Sequence, residues 1–304
     1  MKAETEVSPI YGTPVEVGKN IRRLLCPNPS PMTYHGTNTY IVGHTDLAVI
    51  DPGPKNANHL RALLACVGPD QHISHIIVTH SHLDHSPLAA DLSQHTDAPV
   101  YAHGTSTVGR SAIMAQIAAM GLAGGGEGID RDFTLDHTLA DGEILTGSDW
   151  QLEVIHTPGH LGNHISLALG GCCFTGDHVM GWSSSLVSPP DGDLTDFMAS
   201  CTRLQSRTWD VFLPGHGEPV WAPQERLEWL VSHRRAREAS ILEQLTHSGA
   251  SAAQLARAIY VETPPALLAA AERNVFAHLV DLHQKNKVSC AGPLGISEIF
   301  RLAR

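Results

Sequence analysis

No run of about 18 apolar residues, the least that a membrane-crossing helix needs, occurs anywhere in the 304-residue chain. The opening Met1-Lys2-Ala3-Glu4-Thr5-Glu6 has no apolar stretch, so no secretory signal is expected. Cysteine is sparse and scattered: Cys26, Cys66, Cys172, Cys173, Cys201 and Cys290 form no Cys-x-x-Cys pair. That spacing argues against a disulfide framework and for reduced thiols in a cytoplasmic setting. Aromatics are only 5% of the chain. Basic side chains are outnumbered, 20 Lys and Arg against 31 Asp and Glu for a net of −11, which weighs against strong nucleic-acid binding. Histidine is the excess, with 20 residues, as many as all lysines and arginines together.

The character of the chain changes near Pro223. Residues 1–221 carry 10 basic and 23 acidic side chains, a net of −13, and residues 222–304 carry 10 and 8, a net of +2. Before the change, short apolar runs at 39–42, 47–50, 75–78, 100–102, 152–155, 165–169, 172–174 and 210–213 end at Gly, Pro, Asn or Asp and predict strands. Helical patterns at 56–66, 87–94, 106–120 and 194–204 alternate with some of them. After it the pattern is helical only. Leu227, Leu230, Val231, Ile241, Leu242 and Leu245 share one face, and Leu268, Ala271, Val275, Leu279 and Leu282 repeat the pattern behind Pro264-Pro265. The expectation is an α/β domain over 1–221 and a small helical domain over 222–304. The glycine-rich stretch 121–128 is the one flexible-looking loop, of a kind that often borders active sites.

Chemistry is concentrated in Thr79-His80-Ser81-His82-Leu83-Asp84-His85-Ser86-Pro87, directly after the apolar Ile76-Ile77-Val78. In an extended segment His80 and His82 point to one side and can meet one cation. Pro87 predicts the first turn of a helix, with Asp84 and His85 beside it and aimed elsewhere. Imidazole with carboxylate suits zinc, manganese or iron(II), not a thiolate site or a calcium cage. Three more segments repeat one pattern, an apolar strand and then a glycine turn that presents a ligand: Thr157-Pro158-Gly159-His160, Gly176-Asp177 and Pro214-Gly215-His216. Each alone reads as an ordinary turn; together they complete two metal shells.

This combination resembles the metallo-β-lactamase superfamily across the whole first domain, and with its helical tail it is most similar to the β-lactamase-like protein 2 branch. The likeness extends through Gly36-Thr37-Asn38-Thr39-Tyr40, Asp51-Pro52-Gly53 and Ser188-Pro189-Pro190-Asp191-Gly192-Asp193. It implies an αββα sandwich with a dinuclear site at one edge, and a winged-helix-like tail with helices near 224–247, 251–260 and 265–284 and a wing at 287–295. By the same resemblance His80, His82 and His160 hold one metal, Asp84, His85 and His216 the other, and Asp177 bridges them. Two divalent ions, zinc by preference with manganese or iron as alternatives, would supply a hydroxide nucleophile near neutral pH. Asp84 is expected to orient that hydroxide and accept its proton. Asp51 either fixes a ligand imidazole or caps the Pro52-Gly53 turn. His164 and His178 either contact substrate or back the ligands.

The bond cleaved is open, because this centre serves esters, thioesters, lactams and phosphodiesters. Gly217-Glu218-Pro219 after His216 departs from the glyoxalase II pattern, and His82 stands where flavodiiron proteins carry Glu. The segment between Gly176 and Pro214 is too short for the inserted domain of the large RNA-processing branch. A metal-dependent hydrolase of a small ester or thioester, of acyl-CoA or acyl-carrier type, is the favoured expectation. The alternatives are a single-stranded RNA endoribonuclease, and a nucleic-acid-binding regulator acting through the tail. A net of −13 opposes phosphate-backbone binding, although two divalent ions would offset about four charges. Arg234, Arg235 and Arg237, the only basic cluster, share a helix with Glu225, Glu228, Glu238 and Glu243, so a solvated face is expected there. The expected partner is a small molecule, not a membrane; a homodimer contact through the tail stays open.

Overall fold

The structure, a computed structural model, describes residues 9–125 and 128–303. The segment Met1–Glu6 read for a signal, and part of the 121–128 loop, lie outside the described residues.

The first sheet holds β1 (Val15–Gly18), β2 (Ile21–Leu25), β3 (Asn38–Val42) and β4 (Asp46–Ile50). After α1 (Ala57–Ala65), β5 (His72–Ile77) joins, and after α2 (Leu88–Thr96), β6 (Val100–Ala102). Beyond α3 (Ala112–Ala119) the short β7 (His137–Thr138) closes its edge. The spatial order is β1-β2-β3-β4-β5-β6-β7, antiparallel through β4 and parallel from β4 to β7. The second sheet is β12-β11-β10-β9-β8, formed by β8 (Ile144–Thr146), β9 (Gln151–His156), β10 (Ile165–Leu169), β11 (Cys172–Gly176) and, beyond α4 (Leu194–Gln205), β12 (Val211–Pro214).

The period-two alternation of each strand sorts its apolar residues into layers. Tyr40, Ile50 and Ile77 face the second sheet and meet Val154, Phe174 and Leu213 in the central core. Their chain neighbours Ile41, Val49 and Ile76 point outward and are covered by Leu63 of α1 and Leu88 and Leu92 of α2. On the far side Ile155, Ala168 and Phe212 are covered by Leu194, Phe197 and Leu204 of α4. The architecture is the αββα sandwich.

The tail comprises α5 (Pro223–His247), α6 (Ala252–Ile259), α7 (Leu268–Gln284) and a ribbon of β13 (Val288–Cys290) with β14 (Phe300–Leu302). α5 belongs to two cores. Leu227, Leu230 and Val231 pack on α4 and β12, and Ile241 and Leu245 pack with α6 and α7. Residues 275–282 of α7 are buried without a break. Ser251 and Gln254 form a reciprocal capping box at the start of α6.

Several sequence expectations need correction. The ribbon reaches Leu302, beyond the expected wing at 287–295, because β14 has only three residues and no alternation to announce it. The helix expected over 106–120 is confined to α3, where Ser111 caps the first turn. Gly109, at φ +75°, breaks the earlier half, and a Cβ there would fall 2.1 Å from the carbonyl oxygen of Gly162. α3 also packs Met114 and Ile117 into the tail core. β1, β2, β7 and β8 were not anticipated; they are edge or near-edge strands, β1 and β7 without a buried residue and β2 and β8 of mixed burial.

Candidate metal centre

Each of the seven expected ligands stands where the chain leaves a strand at one edge of the sandwich. His80 and His82 follow β5, Asp84 and His85 occupy the turn before α2, and His160 lies in the turn from β9 to β10. Asp177 follows β11, and His216 follows β12. The parallel pairs β4–β5 and β11–β12 end together, which sets Asp51 beside Thr79 and Asp177 beside His216. Asn38 ties the sheets at this edge: its backbone N–H donates to Gly215 (2.7 Å), and its side-chain amide donates to the carbonyls of Pro214 (2.9 Å) and Gly217 (2.8 Å). Gly159, at φ +133°, lets the turn before His160 press against α4, where a Cβ would lie 2.2 Å from Cα of Phe197.

The side chains converge as two buried groups that share Asp177. In the first, Nδ1 of His82 lies 3.0 Å from Nε2 of both His80 and His160, and Oδ2 of Asp177 lies 4.0 and 3.7 Å from those Nε2 atoms. In the second, Nε2 atoms of His85 and His216 are 3.2 Å apart. Oδ2 of Asp84 is 3.3 and 3.0 Å from them, and Asp177 is 3.5 and 3.3 Å away. Ligands about 2.0–2.1 Å from a tetrahedral zinc stand roughly 3.3 Å apart, so both groups have the required span.

Outer contacts prepare the inner nitrogens. Nδ1 of His160 donates to the Leu186 carbonyl (2.7 Å), and Nδ1 of His216 donates to the Gly36 carbonyl (3.0 Å). Nδ1 of His85 meets Oδ2 of Asp51 at 2.9 Å, and Nδ1 of His80 meets the Thr79 hydroxyl at 3.0 Å. With the outer nitrogen engaged, the inner one is presented to a cation. Oδ1 of Asp84 is buried with no hydrogen-bond partner, and the other carboxylate oxygens of Asp84 and Asp177 meet only the imidazole nitrogens of the cluster, an arrangement suited to a cation among them. In the metal-free protein that cation is a proton. Burial opposes charge on His216, but Asp177 and Asp84 outweigh it and lift its pKa to about 10. His85 is likewise raised well above the ordinary value, against burial, by Asp84, Asp177 and Asp51. The carboxyls of Asp84 and Asp177 are held below their usual range in return, despite burial. Burial leads in lowering His80 and His160, and pushes His82 down to about 3.

Asp51 lies under this cluster with all its contacts inward: it accepts from the backbone N–H and hydroxyl of Thr79, both at 2.7 Å, as well as meeting His85. His164 and His178 are fully buried. Nδ1 of His164 meets the Thr157 hydroxyl at 2.9 Å and its ring lies 5.1 Å from that of His80. The His178 ring packs 4.4 Å from Phe197. Neither lines the opening above the cluster, so both lie behind the cluster.

That opening, about 30 Å³, is walled by Met32, Met180 and Leu186 with the ligands at its base. A wider groove of about 610 Å³ is lined by Tyr34, Gly181, Trp182, Val220 and Trp221, from the stretches of chain just past Met32, Met180 and His216. Tyr34 stacks on Trp182 at 5.1 Å. Gly128, at the end of the expected loop, and Asp130 just beyond it pair with the histidine motif: the Leu83 N–H donates to the Gly128 carbonyl, and the Asp130 N–H donates to the Ser81 carbonyl. Sequence reasoning gave no role to Thr79, although it opens the histidine motif, because nothing local announces its contact with Asp51. It also missed the groove aromatics, which are single residues far apart in the chain.

The signature of the metallo-β-lactamase superfamily matches residues 32–216, and that of the β-lactamase-associated winged helix domain matches 251–293. The chain is similar to the β-lactamase-like protein 2 homolog of Drosophila melanogaster, 30% identical over 88% of this chain and 89% of that one. It is 26% identical to an atrochrysone carboxyl ACP thioesterase of Claviceps purpurea over 80% of this chain and 70% of that protein. The fold matches a β-lactamase domain protein from Burkholderia ambifaria with a TM-score of 0.80, at 20% identity, over 98% of this chain and 96% of the other.

Proposed function

The chain belongs to the metallo-β-lactamase superfamily of hydrolases, and from that premise we propose that it cleaves a small ester or thioester, of acyl-CoA or acyl-carrier type, in the cytoplasm. His80, His82 and His160 would hold one divalent ion and Asp84, His85 and His216 a second, with Asp177 between them. Five imidazoles and two carboxylates without a thiolate suit zinc, ahead of manganese or iron. Bound there, the ions would supply a water of lowered pKa and polarise the substrate carbonyl. Asp84 acts through its free carboxylate oxygen, taking the proton of the attacking water and returning it to the leaving group. Asp51 orients His85 directly and His80 through the Thr79 hydroxyl. Met32, Met180 and Leu186 keep bulk water from the reacting atoms.

The observation that carries the substrate class is the aromatic groove formed by the stretches of chain just past Met32, Met180 and His216. Tyr34, Trp182 and Trp221 offer apolar faces, and the charges along it are Glu218, Glu225 and Arg226. Such a wall accepts an acyl chain or ring and offers no row of cations to a nucleic-acid backbone. The thioesterase name of the Claviceps relative supports the same class. Two placements weigh against nucleic-acid binding through the tail. Arg234 is buried and Arg237 lies over the Tyr260 ring at 4.4 Å, so the expected solvated basic face reduces to Arg235. The central stretch of α7 is buried and offers no groove-reading face. Six free thiols fit a reducing compartment.

The test is a panel of acyl thioesters, aryl esters, phosphodiesters and labelled single-stranded RNA, given to the metal-reconstituted protein. Ester and thioester hydrolysis is expected, with loss of both metal and turnover in the His80→Ala, His82→Ala double variant. Cleavage of RNA with esters and thioesters untouched overturns the reading.

A further inference from the structure

Residues 180–189 form neither strand nor helix, yet they supply Met180 and Leu186 to the wall of the opening above the cluster. Backbone groups outside a ladder still need partners, and side chains of the tail provide them here. In α5, Arg226 donates from Nε to the Met180 carbonyl and from Nη2 to that of Ser183, both at 2.6 Å. Further along α5, Arg234 donates from Nη2 to the Ser185 carbonyl. In α7, Arg273 donates to the Pro189 carbonyl at 3.1 Å. Oδ1 of its neighbour Asn274 accepts the Val187 N–H at 3.1 Å and Nη1 of Arg234 at 3.0 Å.

Among the described residues the arginines paired with carboxylates are Arg23, Arg110, Arg203 and Arg207, and none of the three that hold this segment. Arg234 is only 2% exposed. A guanidinium buried without a counter-charge costs stability that an apolar residue would keep. The Val187 N–H and the Leu186 carbonyl belong to one planar trans peptide group and point in opposite directions. Asn274 takes the N–H end, and the carbonyl end accepts Nδ1 of His160 at 2.7 Å. Arg234 fixes both the Asn274 oxygen and, through the Ser185 carbonyl, the preceding peptide. His80, His85 and His216 take their outer contacts from Thr79, Asp51 and Gly36, all in the first domain.

We propose that Asn274 is a positioning residue for His160, acting through the Leu186–Val187 peptide, and that Arg234 holds Asn274 in place for it. The tail is thereby a working part of the centre. It bears on the group of His80, His82 and His160 and not on that of Asp84, His85 and His216. The contact stands by itself; its effect on metal rests on the metal-binding reading proposed above. A displaced peptide leaves the outer nitrogen of His160 without its acceptor, and the inner nitrogen loses its aim and its fixed tautomer.

The test compares Asn274→Ala with Asn274→Asp, whose carboxylate still accepts both bonds. In the metal-free protein, the ring-nitrogen magnetic resonances of His160 are expected to shift in Asn274→Ala and to return in Asn274→Asp, with those of His216 unmoved. With zinc, competition against a chelator should show one ion bound about tenfold more weakly in Asn274→Ala and the other within about twofold. Asn274→Asp should bind both as the wild type does. His160→Ala identifies the weakened ion as the one its group holds. Arg234→Lys keeps the charge but offers no fork to reach both partners. It should reproduce the shift of His160 and weaken the same ion about threefold, which also covers a failure of Asn274→Ala to fold. Unmoved His160 resonances, equal weakening of both ions, or no recovery in Asn274→Asp overturns the positioning role. A wild type that takes up no zinc, with the His160 shift intact, defeats the metal-binding reading and upholds the contact.

Discussion

Oδ2 of Asp51 stands 2.9 Å from Nδ1 of His85, and the same oxygen accepts the Thr79 hydroxyl at 2.7 Å. Because that hydroxyl also meets His80, one carboxylate below the cluster orients an imidazole in each of the two groups. Asp51 adopts φ +51° to do so, a backbone conformation Asp tolerates better than most residues. Asp51→Ala should lower metal affinity 10- to 100-fold, and Asp51→Asn less, since an amide oxygen still accepts one bond. Chelator competition measures both; unchanged affinity in Asp51→Ala would contradict the role.

Metal uptake should release protons. His216, lifted to about 10, and His85, raised well above its ordinary value, both favour holding a proton in the metal-free protein. A metal must displace those protons, so affinity rises with pH until about pH 10. Calorimetric titration in buffers of different ionisation heat counts the protons released, and a count of zero would contradict the charged cluster.

His59 makes an opposite contribution to folding. Burial lowers its pKa to about 4, below the unfolded value near 6.5, so the unfolded chain binds the extra proton. Stability from this group is present above about pH 6.5 and lost as pH falls toward 4, at up to about 1.4 kcal/mol per pH unit. In urea denaturation, His59→Gln should lose less stability between pH 7 and pH 5 than the wild type. Its amide can keep the contact with the Thr39 hydroxyl, 2.9 Å from Nε2 of His59 in the native protein. Parallel losses in the two proteins would exclude His59 as the source.

Trp182 and Trp221 should act on substrate binding rather than on the chemical step. Trp221 is 68% exposed, so Trp221→Ala costs little stability. Trp182→Ala and Trp221→Ala should each raise KM about three- to tenfold for thioesters with long or aromatic acyl groups, consistent with about 1 kcal/mol for an aromatic contact. Acetyl thioesters should show no change, and kcat should stay within twofold. A drop in kcat for every substrate would place the aromatics in the centre itself.

The strands from β3 to β6 and from β9 to β12 could be read in advance because each is a short apolar run stopped by Gly, Pro, Asn or Asp. β1 and β2 could not, since their charged and half-buried residues carry no alternation. The histidine motif was legible through its spacing, but whether Asp51 served a ligand or a turn depended on the parallel pairing of β4 with β5. The basic run Arg234, Arg235 and Arg237 was misread as a solvated face because local charge pattern does not report which side of α5 is buried. α4 and α7 decide that.

By itself the sequence determined an α/β domain followed by helices, and the histidine and aspartate types of the candidate site, because strand periodicity and residue spacing are local properties of the chain; the αββα layering was implied only by the family resemblance those motifs carry. Only the tertiary structure decided that Thr79 relays Asp51 to His80, that aromatics distant in sequence form one groove, and that Asn274 of the tail meets the peptide that holds His160. Those relationships are contacts between elements packed from different parts of the chain, and no local pattern encodes the register at which such elements meet.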